Sequence, residues 1–490
     1  MKKQNDIWIG TDQLNADPDY VAEQKAEFAD PMATAVAATE NPRLEASRRD
    51  FLKYLGFGIS AATIAACDIP VRKAIPYVSK PDTIVPGVAT YFASTFVQGG
   101  DYCPVLVKTR EGRPIKVEGN ELSPITRGGT SARVQASVLS LYDTSRFDGP
   151  YRIKEGKVEV DRNRSNNPDW AEIDAELGKA MSAGAKVRIL SHTVMSPSTL
   201  SAIEEFKTKY PNTVHVQYDP VSSSAQLDAN KADWGVRAMP SYRFDQAEYI
   251  VGINCDFLGT WVSPTEYARQ YADGRKVLDG KQMSHHVQIE SLMSMTGSNA
   301  DNRIVIKPSE QGQAIMGLFQ AITTGSAGAV QLDPAAKAKI EALGRKLTRA
   351  SGKCLVVSGS NNLAEQRLVN AINNKLGSYG STIETDRWSF QRKGSDQDLA
   401  RLVGELKNGS VDALIVLDGA NPAYDTPYAA DIVSALPNVG LKISMAGVPN
   451  ETTVYCDYVT PTHNFLESWS DVEAKEGMLS IIQPAISPLF

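Results

Sequence analysis

Two patterns of apolar and polar residues divide this chain. Between residues 87 and 165, Tyr91–Val97 and Val105–Thr109 alternate apolar with polar. Alternation of that period puts successive side chains on opposite faces of a strand, so both segments read as antiparallel strands. Glu111-Gly112-Arg113-Pro114 reads as a hairpin turn and Ile115-Lys116-Val117 as its return strand. The helix-like run Gln135–Leu141 then leads into Tyr142-Asp143-Thr144-Ser145-Arg146. From about residue 166, strand and helix signals alternate. A helix starting at Asp169 reaches about Ala183, and Lys186–Leu190 is a strand. Ser196 and Pro197 read as N-cap and first helical residue of a helix running to Tyr210. Thr213–Gln217 and Glu248–Ile253 are strands, as are Cys354–Ser358 and Ala413–Leu417 further on. Asn362 to Leu376 is helical, and so is most of Lys307 to Arg349. The expected fold class is α/β: a small β module over 87–165, then two Rossmann-like domains with parallel sheets, 166–306 and 307–490, the second opening with the helical connection.

One apolar run fits neither pattern. Tyr54 to Ala66 is thirteen uncharged residues, about 20 Å as a helix at ~1.5 Å per residue. A bilayer core takes ~20 apolar residues, so the run has the length of a signal sequence's apolar region. Before it stands Ser47-Arg48-Arg49-Asp50-Phe51-Leu52-Lys53. The segment 47–68 resembles a twin-arginine translocation signal, with Arg48 and Arg49 as its signature; such signals export proteins already folded. A buried core helix behind a basic patch is the plain alternative. The run ends Ile64-Ala65-Ala66-Cys67, which resembles a lipobox with Cys67 as the lipid acceptor. Otherwise the signal is retained and Cys67 is a small apolar residue. Residues 1–46 exceed the short basic start of an ordinary leader. Trp8, Leu14, Asp17-Pro18 and Glu27-Phe28 resemble the extended twin-arginine domain that precedes one molybdopterin-oxidoreductase-like family; a disordered tail is the alternative. Residues 69–86 form a proline-punctuated linker.

Composition narrows the function. The chain is 42% hydrophobic and 22% charged, as globular proteins are. Its net charge of -6 argues against a nucleic-acid partner, which needs a basic face. None of the five cysteines forms a C-x-x-C pair, and their wide spacing favours single buried thiols. Ligands of parallel sheets bind beyond the carboxyl ends of the strands. Three loops there are candidates: Ser191–Ser196, which contains His192, Ser358–Asn362, and Asp418–Pro422. Ordinary turns are the plain reading of all three. Ser284-His285-His286 with Glu290, and His463 with Glu467, have the i, i+4 spacing that shares a helix face and suits a metal; structural roles are expected for both.

The stretch GRPIKVEGN…SPITRGGTSARVQASVLSLYDTSRFDGP resembles the N-terminal module of molybdopterin oxidoreductases. In that family a C-x-x-C-x-x-x-C motif and a later cysteine hold an iron–sulfur cluster. The resemblance places those four positions at Phe96, Gly99, Cys103 and Ser131. One thiol in four cannot hold a cubane, so no cluster is expected. HHVQIESLMSMTGSNADNR and Thr460–Asp471 also resemble family segments. Together with the leader, the chain resembles the large iron–sulfur subunit of bacterial alternative complex III. That resemblance implies a cofactor-free, non-catalytic scaffold with no catalytic, cofactor or metal residues of its own. It places [4Fe-4S] and [3Fe-4S] clusters and haem c in partner modules: a ferredoxin-like module, a multihaem cytochrome c, quinol-binding membrane subunits and a terminal oxidase. It also implies the periplasmic face of the inner membrane. A pterin-binding barrel or a ferredoxin-like half is expected beyond Phe490 in the family. The alternatives are an active molybdenum-dependent reductase of the polysulfide or thiosulfate type, and a two-lobed periplasmic binding protein. The latter fits the architecture but not the leader or the 112–148 motif.

Overall fold

The computed structural model describes residues 85, 87–153, 168, 170–181, 184–277 and 282–490. Arg48, Arg49 and Cys67 lie outside the described residues. The first sheet is antiparallel, in the order β1 (Thr90–Gln98), β2 (Asp101–Arg110), β3 (Arg113–Gly119). Gln98 pairs with Asp101, which leaves Gly99-Gly100 as a two-residue turn. Glu111 and Gly112 turn β2 into β3 with φ of 53° and 76°. Two consecutive positive φ values are what a tight hairpin of the right twist demands. The helix Ala132–Ser140 is capped by Ser131, whose Oγ accepts from Val134 N. Its Val134 and Val138 pack on Val105, Val107 and Val117 from the inward face of the hairpin.

Two parallel sheets follow. Strands β5 (Val187–Ser191) and β6 (Val214–Gln217) lie in a six-stranded sheet, and β8 (Tyr249–Ile253), β9 (His285–Glu290) and β10 (Asn302–Val305) in a four-stranded one. The short strands β4 (Tyr151–Arg152) and β7 (Met239–Tyr242) are placed by partners later in the chain. Of those, β11 (Cys354–Ser358) pairs with β8, and β12 (Ile383–Ser389) pairs with β7. Next come β13 (Ala413–Val416), β14 (Leu441–Ser444) and β15 (Tyr458–Val459), then β16 (Ser470–Lys475) and β17 (Met478–Ile482). The six-stranded order is β4-β15-β14-β13-β5-β6, parallel except for β4, the four-stranded order is β10-β9-β8-β11, and an antiparallel sheet runs β17-β16-β12-β7.

The boundary expected at 306/307 is therefore not a boundary between sheets. β13 pairs with β5, Ala413 opposite Val187, while β11 returns to β8, Cys354 opposite Tyr249. The chain starts one sheet, builds most of the other, and comes back to finish the first. Alternation of strand and helix reveals that parallel sheets form, but it carries no information on which distant strand becomes a neighbour.

The expected helical connection is two helices, Gln311–Thr324 and Pro334–Arg349. Their Ile315, Leu318, Ile322, Ile340, Leu343 and Leu347 cover Val251, Ile253, Val287 and Ile289 of the four-stranded sheet. They cross closely: a Cβ on Gly344 would come within 2.6 Å of the Ala321 methyl. His285, His286 and Glu290 lie on strand β9, so the helix face assumed for them does not exist. The β-rich sequence HHVQIE packs with apolar strands on either side, and tertiary pairing decides its conformation. His463 and Glu467 lie in a turn region rather than on a helix.

Candidate functional site

Cys103 sits on β2 directly opposite Phe96 on β1. It is 1% exposed and its Sγ donates to the Gly129 carbonyl at 3.2 Å. Burial pushes the thiol up to about 12, so it stays protonated at neutral pH, whereas a metal takes the thiolate. Phe96 meets Phe465 edge to face at 5.6 Å, and buried Leu466 packs against the same core. Gly99 faces His192: a Cβ there would lie 3.4 Å from His192 Nδ1. Ser131 spends its Oγ on the helix cap. The four positions thus offer one protonated thiol, a benzyl ring, a glycine and a committed hydroxyl. These residues do not fit an iron–sulfur cluster. Cys255, Cys354 and Cys456 are also buried and free.

The segment over this core is clamped from behind. Arg146 is buried and reaches Glu467 with both guanidinium nitrogens. The Glu467 carboxylate also accepts from Asn464 N and Leu489 N, each at 3.0 Å. Burial alone would raise this carboxyl, but Arg146 and those backbone donors prevail and hold it below the usual range.

At the strand ends the picture is different. Because β13 lies beside β5, loops 191–196 and 418–422 are neighbours. His192 Nε2 lies 2.9 Å from Asp425 Oδ2, and the Tyr218 hydroxyl donates to Asp425 Oδ1 at 2.6 Å. Asn421 N donates to the Tyr218 oxygen at 3.1 Å. Burial and Asp425 together hold Tyr218 far above its ordinary value, so it remains a donor. The third loop arrives from the other parallel sheet. Asn361 donates to Asp396 Oδ2 at 2.8 Å and Ser222 to Asp396 Oδ1 at 2.7 Å. Of the three loops singled out in the sequence, only Ser358–Asn362 lines the cleft of about 760 Å³, through Asn361; loops 191–196 and 418–422 reach its wall through the bonds of His192 and Asn421 to Asp425 and Tyr218.

Three stretches of its lining were missed: 218–222, Asp396 with Leu399, and 424–428. Their available signals were Asp219-Pro220 just after a strand and Ser395-Asp396 opening a helix. Deeper in, Ser358-Gly359-Ser360, Trp261 and Arg392 enclose a second cavity of about 30 Å³. Arg392 is 9% exposed and donates to the Gln391 carbonyl at 2.7 Å. A Cβ on Gly100 would collide with the Arg392 guanidinium, so the β1–β2 turn needs glycine where it presses on this wall.

A pterin dinucleotide would need room for fused rings and cationic or N–H partners for its pyrophosphate. The inner cavity, at about 30 Å³, has room for a few waters. The outer cleft is bordered by Asp219, Asp396 and Asp425, and no Lys or Arg of the described residues borders it. As they stand, these surfaces do not fit the dinucleotide, and no chemical step is derived through one. His286 and Glu290 serve structure. His286 lies 3.2 Å from both the Tyr271 hydroxyl and Gln288 Oε1, and burial lowers it to about 4. Glu290 pairs with Arg303 at 2.6 Å. Among the described residues no group of three or more His, Cys, Asp or Glu is placed to hold a metal.

An antiparallel hairpin module ahead of two interleaved parallel sheets, with loops converging beyond their strand ends, is a molybdopterin-oxidoreductase-like fold. Acetylene hydratase from Pelobacter acetylenicus superposes with a TM-score of 0.60 at 12% identity, over 81% of this chain and 67% of that one. The chain is 23% identical over 436 residues to the menaquinone reductase, molybdopterin-binding-like subunit of Nitratidesulfovibrio vulgaris Hildenborough. That match covers 79% of this chain and 62% of the relative, so the chain spans about three fifths of that protein's length. No protein-family model matches the chain.

Proposed function

We propose that this chain is a cofactor-free, molybdopterin-oxidoreductase-like scaffold in a membrane quinol-oxidising respiratory complex of the alternative complex III type. It holds ferredoxin-like and c-haem modules in place while electrons pass through them from quinol to cytochrome c or a terminal oxidase. The observation that carries this reading is the Cys103 neighbourhood: one protonated thiol among four ligand positions, inside an apolar core. The relative from Nitratidesulfovibrio is named as a subunit of a menaquinone reductase, which supports quinone-linked electron transfer. The leader around Arg48 and Arg49 supports export of the folded chain to the periplasmic face of the inner membrane, with Cys67 as a lipid anchor.

The test is iron, molybdenum and pterin analysis of the full chain purified without partners. The expected result is none of the three. Near-stoichiometric molybdenum and pterin would overturn the scaffold reading and favour the molybdenum reductase, for which the 760 Å³ cleft is the available space. For export, Arg48→Lys with Arg49→Lys should leave the folded chain in the cytoplasm.

A further inference from the structure

Arg392 is a buried cation without a counter-charge. It is 9% exposed, and its hydrogen bond runs from Nη1 to the Gln391 carbonyl at 2.7 Å. Among the described residues no carboxylate pairs with it, and nothing accepts from its Nε or Nη2. Those two nitrogens are not sealed off either, unlike the Gln391 amide. The space that Arg392 lines is the inner cavity of about 30 Å³. A guanidinium stays charged at any pH a protein meets, and buried charges are ordinarily paired. The geometry therefore calls for a negative partner from outside the chain.

The walls of the cavity hold no Asp, Glu, Lys or second Arg. Two of its hydroxyls are spent. Ser222 donates to Asp396 at 2.7 Å and Ser360 to Glu365 at 2.6 Å, and each accepts from a backbone N–H. Thr260 leans on Asp256 at 3.5 Å, and the Gly359 N–H serves the Ile253 carbonyl. Gln226 donates to the Tyr242 hydroxyl at 2.5 Å, which leaves its carbonyl oxygen as an unspent acceptor. The other unspent groups are donors. Ser358 Oγ accepts from Ser360 N and keeps its hydrogen to give. Ser223 precedes the helix Ser224–Trp234 without capping it, so its hydroxyl is unspent. The Trp261 indole N–H and the Val262 backbone N–H have no acceptor among the described residues. Val262 also holds a φ of 51°, in the left-handed region that a β-branched residue rarely adopts. Backbone strain of that kind gathers where a chain is shaped around a ligand.

We propose that the inner cavity holds a single halide ion, chloride under physiological conditions, bound by Nε and Nη2 of Arg392 and by the Ser223 hydroxyl. Three features set this class. Room for a few waters suits a monatomic ion better than an oxyanion with four oxygens. One guanidinium supplies one positive charge, and Asp396 and Glu365 behind the wall disfavour a second negative charge. The unspent donors come from separate segments, at 223, 261–262, 358 and 392, and a spherical ion accepts from any direction. The ion fastens these segments to one another. It needs neither metal nor pterin, so it stands or falls apart from the scaffold reading.

The test melts the full chain in sodium gluconate, whose anion is too large for the cavity, while sodium chloride replaces it at constant ionic strength. A saturating rise in melting temperature is expected, because an ion that binds only the folded chain stabilises it by mass action. Arg392→Gln should remove the rise. Ser223→Ala removes a hydroxyl that caps nothing. It should raise the half-saturating chloride concentration about tenfold, the loss expected for one hydrogen bond to a charged group. This variant decides the matter if Arg392→Gln does not fold. Crystals of the full chain in sodium bromide should show an anomalous peak within hydrogen-bond reach of Arg392 Nε and Nη2. Equal melting in chloride and gluconate, a chloride response unchanged in either variant, or bromide crystals with only water or an oxyanion in the cavity would overturn the proposal.

Discussion

The neighbourhood of Cys103 and the strand-end cleft are built in opposite ways. Around Cys103 the hairpin, a capped helix and the 465–466 segment close an apolar core, and the thiol is one more buried group in it. At the strand ends the side chains are polar and the cleft is open, but its groups spend their hydrogen bonds on one another. Asp425 serves His192 and Tyr218, and Asp396 serves Ser222 and Asn361. The contrast is between two ways of building such a region. In one, side chains fill the space; in the other, the space persists and its polar groups satisfy each other.

If the first region is a packed core, breaking its clamp should be the most damaging change. Arg146→Ala leaves the Glu467 carboxylate buried without its cation, and breaking such pairs typically costs about 3–5 kcal/mol. Urea denaturation followed by circular dichroism would read it. The same pair sets a pH dependence. Because Glu467 is held below its ordinary value when folded, its stabilisation is full above the unfolded value, near ~4.3, and is lost as pH falls through the folded one. Acid titration of stability should show this loss in wild type and a smaller one in Glu467→Gln. Next in size, Phe96→Ala removes a ring from the same core and should cost about 3 kcal/mol. A variant with wild-type stability would mean that the core around Cys103 is not packed as described.

These two regions also differ in how far they could be read in advance. The alternation of Tyr91–Val97 and Val105–Thr109 is local, and both strands form, joined at Gly99-Gly100, with the Glu111-Gly112 hairpin leading on to β3. Ser196 and Pro197 start their helix as their chemistry requires. The 306/307 division did not survive, because β5 beside β13 is a pairing between residues more than two hundred positions apart. Likewise, Asp425 carries no local mark of the cleft it joins, and Asp396 shows only that it opens a helix. Their role arises only when two sheets bring distant loop ends together. The spacing of His286 and Glu290 misleads for a related reason: i, i+4 neighbours share a face on a helix and on a strand alike.

The second region predicts smaller effects. Asp425→Asn keeps the shape of its side chain but removes the charge that His192 and Tyr218 share. It should cost about 2 kcal/mol, the range for hydrogen bonds to a charged group. The helix Pro197–Lys209 offers the finest discrimination. Ser196 Oγ caps it by accepting from Thr199 N at 3.1 Å, and Asp471, far along the chain, accepts from Ser198 N and from both serine hydroxyls. A carboxylate at a helix N-terminus is favoured by the exposed N–H groups and by the helix dipole. Ser196→Ala should therefore cost about 1 kcal/mol rather than the upper end of the N-cap range, because Asp471 remains at the helix end. Asp471→Ala alone should cost a similar amount, and the double variant more than the sum of the two. An additive double-mutant cycle would mean that serine and aspartate cap the helix independently, and that the loop after β5 is held by local chemistry rather than by the strand β16 that reaches it.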